Sequence, residues 1–418
     1  MVRFVLSALT LGVVGTLSCS STESDEGAQQ GGTAGTAAGS GAASGGGGKA
    51  GSANGGASSG AGRANGGGGS PAGGAAQSAG KSGGGNAGAG RAGAGAGTSG
   101  RGGTGGGGGD TGIAGTPGEA GASASGELPA GDAGIAKNHP GDAGIDADPD
   151  VLFADDFEDY AQASELNDRW DAVYQNQYVG LTQDPDHVYF GSQALELTLP
   201  QQEDELSDAT DKLLEEEQDV LFLRYYTKFM PPYDVVGSSH NGASISAHYF
   251  TDDGMATPGV PADGTNKFLA NVENWRGDAA VTSPGYLNVY VYHPEQRSMW
   301  GDHFYPNGEV DPNTSIPFDF GPDFVAREQV IPELDRWYCY ETMLKANTPG
   351  QRDGRIAIWL DGELKADFMN LRLRDVASLK INRFGLSFHI HDNPNGEAKK
   401  WYDNVVAAKS YIGPLVMP

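Results

Sequence analysis

The sequence is poor in cysteine and, over one long stretch, has no aromatic residue. Its 418 residues include 2 cysteines, Cys19 and Cys339, which excludes a framework of several disulfides and a cysteine-based zinc site. Between Gly27 and Asp150 there is no Phe, Trp, Tyr or Cys, and 47 of the 67 glycines lie there. Such a segment buries too little apolar surface to offset the entropy lost on ordering. We therefore predict a disordered Gly/Ala/Ser-rich tether over residues 20–150 and a folded domain over residues 151–418.

Positive charge is also scarce. The chain has 27 Lys and Arg against 54 Asp and Glu, which gives a formal net charge of −27. A chain with this much negative charge repels nucleic acid and anionic membrane surfaces, so we expect neither as a partner. An anionic polysaccharide would need a local basic patch. The acidity by itself favours solubility, and we expect a monomer.

Residues 1–19 have the pattern of an export signal. Arg3 supplies a short positive region, and Phe4–Leu17 is an apolar run too short for a transmembrane helix. The box Thr16-Leu17-Ser18-Cys19 resembles a bacterial lipoprotein signal with its leucine one place late. We expect Cys19 to be lipidated, so that the protein is an outer-membrane lipoprotein of the cell envelope whose lipid is its only membrane contact. Ordinary cleavage and secretion is the alternative.

The chain after residue 151 alternates between apolar and polar residues with the period of β-strands. In Leu221–Phe229, Arg224, Tyr226 and Lys228 share the polar face. Further strand patterns occupy Ala243–Phe250, Phe268–Trp275, Tyr286–Tyr292, Arg336–Lys345, Arg355–Leu360 and Phe384–His391. The acidic run Ser207–Asp219 instead suggests a short helical turn. Together these patterns predict an all-β domain, an antiparallel two-sheet jelly roll.

The first and last strand patterns of this domain both carry carboxylates. They are Phe153–Glu158 and Trp401–Ala408, and we predict that they pair as neighbouring strands. Pairing would bring Asp155, Asp156 and Asp403 together on a cation. The alternative is that these are solvated charges at strand ends.

Several short motifs, in this order, resemble the concanavalin A-like jelly rolls of the glucuronan-lyase type, including cellulose-induced secreted fungal proteins. The motifs are Asp155-Asp156-Phe157-Glu158, Gly191-Ser192, Asp219-Val220 leading to Arg224, Trp337-Tyr338-Cys339-Tyr340-Glu341, Trp359-Leu360-Asp361-Gly362 and Trp401-Tyr402-Asp403-Asn404. The resemblance implies a polysaccharide as partner and a structural Ca²⁺. The implied ligands are Glu158, Gln193, Asp403 and a backbone carbonyl near Phe190. The His-x-Arg pair of those lyases is missing at Lys267–Asn271, so the resemblance assigns no catalytic residue.

Cleavage of a uronate polysaccharide by β-elimination needs a group that neutralises the carboxyl, a base and an acid. The polar faces offer Arg224 or Lys228 for neutralisation, His248 as base, and Tyr290 or Tyr292 for proton transfer. Substrate contacts would come from the remaining polar and aromatic side chains of these faces, namely Tyr226, Lys228, Trp275, Asn288, Gln296, His389 and His391.

Three functions remain open from the sequence. The first is a polysaccharide lyase, and the second is a carbohydrate-binding lipoprotein without catalysis on the same fold. The third is a structural surface protein. Glycoside hydrolysis would need two facing carboxylates, for which Glu273 and Glu341 are the strand-borne pair to test. The pair His389 and His391 has metal-binding spacing, but no third ligand is evident.

Overall fold

The chain folds as two antiparallel β-sheets packed face to face, which confirms the predicted jelly roll. The computed structural model describes residues 126–418 except 203–204, 237–238, 252–253, 278–280, 391–392 and 394. The predicted signal and lipidation site at Cys19, and most of the predicted tether, lie outside the described residues. Among those residues, no helix combines the length and apolarity needed to span a bilayer.

Sheet A has the strand order β15-β14-β13-β6-β17-β4-β3, with β1 also paired to β17. Its strands are β1 Val151–Asp155, β3 Val179–Thr182, β4 Ala194–Leu199, β6 Val220–Phe229, β13 Tyr338–Lys345, β14 Gly354–Leu360, β15 Glu363–Leu371 and β17 Ala398–Ala408.

Sheet B has the order β12-β11-β10-β9-β8-β16-β5-β2, with β7 also paired to β16. Its strands are β2 Ala172–Tyr174, β5 Leu206–Gln218, β7 Ser239–His240, β8 Ala243–Ala247, β9 Phe268–Trp275, β10 Tyr286–Tyr292, β11 Asp302–Phe304, β12 Val310–Asp311 and β16 Ile381–Ile390. The run predicted as a helical turn from Ser207 is therefore strand β5. Its pairing with β16 outweighs the weak strand propensity of its acidic residues.

The core lies between the inward faces of the two sheets, which carry the apolar residues of each alternating strand. Leu223 and Tyr225 of β6 meet Ile245, Val272 and Phe384 of sheet B in one cluster of buried side chains. Most of the polar residues that alternate with them face outward, as the alternation predicted; Asp155 and Lys400 are exceptions that point into the core.

The first and last strands pair as predicted, with Val151 opposite Ala408 and Asp155 opposite Val405. The Asp155 carboxylate is buried, and it accepts hydrogen bonds from Tyr160 Oη at 2.5 Å and Trp170 Nε1 at 2.8 Å. Asp155 therefore fixes two core aromatic residues and is not a solvated charge.

The folded part of the chain includes residues 126–150, which we predicted to be tether. Short 3-10 turns at Gly131–Ala133, Ile135–Asn138, Pro140–Asp142 and Ile145–Ala147 carry this segment over the outer face of sheet A. The five-residue sequence Gly-Asp-Ala-Gly-Ile occurs twice, and each copy buries its isoleucine, Ile135 or Ile145, in one apolar cluster that includes Phe222 and Trp359. The prediction was wrong here because the segment has no aromatic residue of its own and the apolar surface that it covers belongs to later strands.

Candidate functional site

The outer face of sheet B carries a group of histidines around one glutamate. Alternate residues of β9 and β10 point outward, and the register places Asn288 opposite Glu273 and Tyr290 opposite both Asn271 and His303. His240 of β7 lies opposite His389 of β16. We call His240, Glu273, Tyr290, His303 and His389 the His–Glu cluster.

Glu273 is the centre of this cluster, with a side chain that is 0% exposed. Its Oε2 lies 2.7 Å from His240 Nδ1 and accepts a hydrogen bond from Asn271 Nδ2 at 2.7 Å. Its Oε1 lies 3.3 Å from His303 Nδ1. One buried carboxylate therefore faces two imidazole rings, and in each ring the nitrogen next to the carboxylate is Nδ1.

The environment fixes the protonation of the two rings. His303 Nδ1 faces two acceptors, since Asn288 Oδ1 lies 2.9 Å away in addition to Glu273. This nitrogen therefore carries the proton, and so does His240 Nδ1 facing Glu273. In each ring Nε2 is the nitrogen left for other partners.

Burial alone would raise the pKa of Glu273, but His240 and His303 outweigh it and lower this pKa to about 2. The carboxylate is therefore ionised across the neutral range. A fixed negative charge next to an imidazole stabilises the imidazolium that forms when the ring takes up a proton.

Tyr290 lies between the two imidazoles. Its ring centre is 4.6 Å from that of His240 and 4.8 Å from that of His303. Its hydroxyl accepts a hydrogen bond from the Gly301 N–H at 3.0 Å, and burial raises its pKa. The phenol is therefore a proton donor at neutral pH.

Aromatic rings also line the rim of the cluster. The Trp275 ring stacks on His303 with 4.3 Å between ring centres, and His389 stacks on His240 at 5.4 Å. Flat rings beside polar groups are typical of sites that bind sugars. Trp275, Asn288 and His389, three of the predicted substrate contacts, lie at the His–Glu cluster, whereas His391 is outside the described residues.

Comparison with known proteins gives likenesses of structure only. No protein-family model matches the sequence, and no curated protein matches it. Alginate lyase Aly36B is similar with a TM-score of 0.43 and 16% identity, over 63% of this chain and 98% of that one. An endo-β-1,4-glucuronan lyase from the fungus Trichoderma reesei gives a TM-score of 0.41 and 15% identity, over 62% and 96%. The cellulose-induced protein Cip1 gives 0.35 and 12%, over 63% and 99%. Likenesses of this size leave the function to be argued from the site itself.

Three residues predicted for the site lie on the other sheet. Arg224, Tyr226 and Lys228 point outward from β6 in sheet A, so they cannot reach the outer face of sheet B. Arg224 pairs with Asp142, and Lys228 pairs with Asp335. Alternation gave their shared face correctly, but it does not tell which sheet a strand joins.

The predicted base is also displaced. His248 follows the end of β8 that pairs with Phe268, whereas Glu273 lies toward the other end of β9. His248 is 44% exposed and forms an ion pair with Glu217 at 2.9 Å. Arg224, His248 and Tyr290 therefore do not converge, and the histidine of strand β7 that lies beside Tyr290 is His240.

Tyr292 and Gln296 have structural contacts instead of the predicted roles. Tyr292 is fully buried, and its hydroxyl accepts a hydrogen bond from the Gly259 N–H at 3.1 Å. Gln296 accepts from the Ala262 N–H and donates to the Trp300 carbonyl. Of the predicted proton-transfer pair, Tyr290 is the one in the cluster.

The predicted hydrolase pair is separated by the whole sandwich. Glu273 faces outward from sheet B, whereas Glu341 is buried on the outer side of sheet A, where its oxygens accept from the N–H groups of Ile412 and Gly413. The two carboxylates cannot flank one glycosidic bond. Hydrolysis by this pair is therefore excluded.

Sequence reasoning missed His240, His303 and Asn271. His240 and His303 lie in strands of two and three residues, too short to show an alternation. The spacing of Asn271, Glu273 and Trp275 on one face of β9 was the available signal.

Two of the predicted calcium ligands meet at one turn, residues 189–193. Glu158 accepts hydrogen bonds from the N–H groups of Ser192 at 2.7 Å and Gln193 at 2.9 Å, and Asp403 accepts from Tyr189 at 2.9 Å. Burial raises the pKa of Asp403 to about 8, to which Glu158 contributes. A hard cation next to these oxygens would relieve their repulsion, so the donor chemistry fits Ca²⁺.

Gln193, the third predicted ligand, is used differently. Its Nε2 donates to the carbonyls of Phe157 and Tyr160, and its Oε1 accepts from Gln183. Within the part of the chain that the structure describes, no three His, Cys, Asp or Glu side chains are grouped to hold a metal ion. Cys339 is a buried free thiol, and burial raises its pKa to about 12.

Proposed function

We propose that the protein is carbohydrate-active and cleaves a uronate-containing polysaccharide by β-elimination at the His–Glu cluster. The observation that supports this is the single buried carboxylate of Glu273 facing His240 and His303, with Tyr290 between the two rings. β-Elimination needs a cation, a base and an acid within reach of one sugar ring, and these residues supply all three.

In this proposal His303 binds the uronate carboxyl. Its ring is oriented by Asn288 and Glu273, and its imidazolium form neutralises the carboxylate. Neutralisation acidifies the adjacent C5–H bond. Trp275, stacked on His303, contacts the same sugar ring.

His240 Nε2 takes the C5 proton, and Glu273 stabilises the imidazolium that forms. The electron pair of the C–H bond becomes the C4–C5 double bond as the C4–O bond breaks. Tyr290 donates its proton to the leaving oxygen. The adjacent His240 then returns a proton to the Tyr290 phenolate, so that both groups are ready for the next cycle.

The test is incubation with glucuronan, alginate and neutral glucans, followed by the ultraviolet absorbance of the conjugated product. We expect an absorbance rise on a uronate polymer and none on a neutral glucan. His240→Gln and Glu273→Gln should each lower the rate by about 10²- to 10⁴-fold. His248→Gln is the matched control, because this histidine is exposed and outside the cluster.

The other outcomes separate the alternatives. An absorbance that stays flat on every uronate polymer would remove the lyase proposal. Binding of a glycan without turnover would support the carbohydrate-binding function, which the ring-lined rim of the cluster favours. An absence of glycan binding would leave the structural role.

We also propose a structural Ca²⁺ held by Glu158 and Asp403 beside the turn at residues 189–193. This ion would tie the closing strand β17 to the segment that follows β1. Its role is in stability, since it lies at sheet A and the His–Glu cluster is on sheet B.

Lipidation of Cys19 and placement in the outer membrane are likewise proposed. Metabolic labelling with a radioactive fatty acid tests them, with Cys19→Ser as the control. A chain that takes up label in both forms, or in neither, would contradict the proposal.

A further inference from the structure

A lysine side chain lies in the sandwich core beneath the His–Glu cluster. Lys400 of β17 points inward from sheet A and is 1% exposed. Its Nζ lies 4.1 Å from the centre of the Phe229 ring and 4.9 Å from that of Tyr402. A lysine in such surroundings is costly unless its amine has a specific partner.

That partner is the turn that follows His240. The Lys400 amine donates to the carbonyl of Asn241. The neighbouring Tyr402 hydroxyl lies 3.1 Å from the carbonyl oxygen of Gly242 and 2.9 Å from that of Ser387, so these two acceptors share its one proton. Lys400 therefore satisfies the Asn241 carbonyl, which would destabilise the fold if it were left unpaired in the core. The Gly242 carbonyl also accepts a hydrogen bond from the Ser387 N–H at 2.8 Å.

The same turn is pressed against β9 next to Glu273. Asn241 Nδ2 donates to the Asn274 carbonyl at 2.7 Å, and the Asn274 N–H donates to Asn241 Oδ1 at 2.9 Å. A Cβ atom at Gly242 would lie 1.7 Å from the Val272 carbonyl oxygen, so only glycine allows this approach. Asn241 follows His240 in the sequence, and Asn274 follows Glu273. The two hydrogen bonds between Asn241 and Asn274 therefore fix the distance between His240 and Glu273.

We propose that Lys400, together with Tyr402, is a positioning residue for His240. The two side chains hold the turn 240–242 from inside the sandwich, so that His240 Nδ1 meets the Glu273 carboxylate. The inference deepens the proposed function and rests on it for its catalytic meaning.

The electrostatics of the site agree with this role. Burial lowers the pKa of Lys400 well below its ordinary value, and Glu273 opposes that shift. A neutral amine remains a hydrogen-bond donor and needs no buried counter-charge. Lys400 is therefore suited to hold a carbonyl in a dry interior.

The experiment observes the His240–Glu273 hydrogen bond itself. In ¹⁵N–¹H spectra of imidazole groups, the wild type should show a downfield Nδ1–H resonance, assigned to His240 by its loss in His240→Gln. Lys400→Met should lose or broaden that resonance and leave the His303 resonance in place. Lys399→Met is the matched control, because Lys399 pairs with Glu196 on the outer side of the same strand.

An unchanged His240 resonance in folded Lys400→Met would overturn the proposal. If Lys400→Met does not fold, Tyr402→Phe is measured instead, since it removes only one oxygen atom. In Tyr402→Phe, a weakened His240 resonance supports the proposal, and an unchanged resonance contradicts it. This readout needs no substrate, so it is independent of whether a polysaccharide is cleaved. If the wild type is a lyase, Lys400→Met should lower kcat by about 100-fold with KM little changed.

Discussion

Arg224 of sheet A and Asp142 of the N-terminal segment form a buried ion pair, with 2.6 Å between Nη2 and Oδ2. Their side chains are 0% and 6% exposed. The pair joins strand β6 to the second Gly-Asp-Ala-Gly-Ile copy, which the sequence placed in a tether. The residue that we expected to neutralise a substrate carboxyl therefore neutralises a carboxylate of its own chain.

Asp142→Asn should destabilise the fold by about 3–5 kcal/mol, because it leaves the buried Arg224 charge without its partner. Urea unfolding measures this loss. Asp132→Asn changes the same position of the first copy, where the side chain is exposed, and should cost less than about 0.5 kcal/mol. Equal losses in the two variants would contradict the role given to Asp142.

Tyr290→Phe should abolish most β-elimination activity, by about 10²- to 10⁴-fold, because it removes the proton donor. Its stability should fall by only about 1 kcal/mol, for the lost hydrogen bond from Gly301. Tyr292→Phe loses the equivalent bond from Gly259 and lies outside the cluster. It should therefore show the same loss of stability with normal activity. Similar kinetics for the two variants would contradict the assignment of the acid.

Glu273 should make the fold sensitive to acid. Its pKa is lowered from 4.5 to about 2 in the folded state, so its stabilising effect is complete above pH 4.5 and is lost as the pH falls toward 2. The loss is on the order of 3 kcal/mol. Unfolding measured across this range should be steeper with pH in the wild type than in Glu273→Gln.

Glu341→Gln is the control for that experiment, since burial raises the pKa of Glu341 to about 7. Below pH 4.5 this group is protonated in both the folded and the unfolded state, so the variant should keep the steep acid profile. Between pH 4.5 and 7 the wild type should instead lose stability as the pH rises, and Glu341→Gln should not. A flat acid profile in the wild type would contradict the electrostatic role of Glu273.

Removal of calcium should lower the melting temperature if Glu158 and Asp403 hold the ion. At a free Ca²⁺ concentration of 100 times Kd the stabilisation is about 2.7 kcal/mol, a shift of several degrees. Asp403→Asn should melt at the same temperature with calcium and with a chelator. The control is Asp159→Asn, since this carboxylate follows Glu158 in the sequence, is 84% exposed and is not among the expected ligands. A wild type that ignores the chelator would remove the calcium proposal.

The sequence predicted the strands and their faces well, because alternation records which side of a strand is buried. Glu273 and Trp275, two residues apart in the predicted strand Phe268–Trp275, lie on one face of β9. Alternation does not record which sheet a strand joins, and so Arg224 was assigned to the wrong face of the sandwich. It is also absent from very short strands, and for this reason His240 and His303 could not be distinguished from loop residues.

The pairing of the two acidic ends was predictable because both carry aromatic residues beside carboxylates, and the closing end adds the β-branched Val405 and Val406. The part of the chain that covers the outer face of sheet A was not. Its isoleucines and glycines do not recur with the period of a strand or a helix, and they are buried only by surfaces formed by residues more than 200 positions away, such as Trp359.

The cover over sheet A is made from both ends of the folded chain at once. Ile135 and Ala136 donate their N–H groups to the carbonyls of Tyr411 and Ile412, and Gly141 donates to Val416. A chain that starts at residue 151 would lose the N-terminal half of this cover, and Phe222 and Trp359 would then be exposed to water. Such a patch invites self-association. Anyone expressing the domain should therefore begin no later than Gly126.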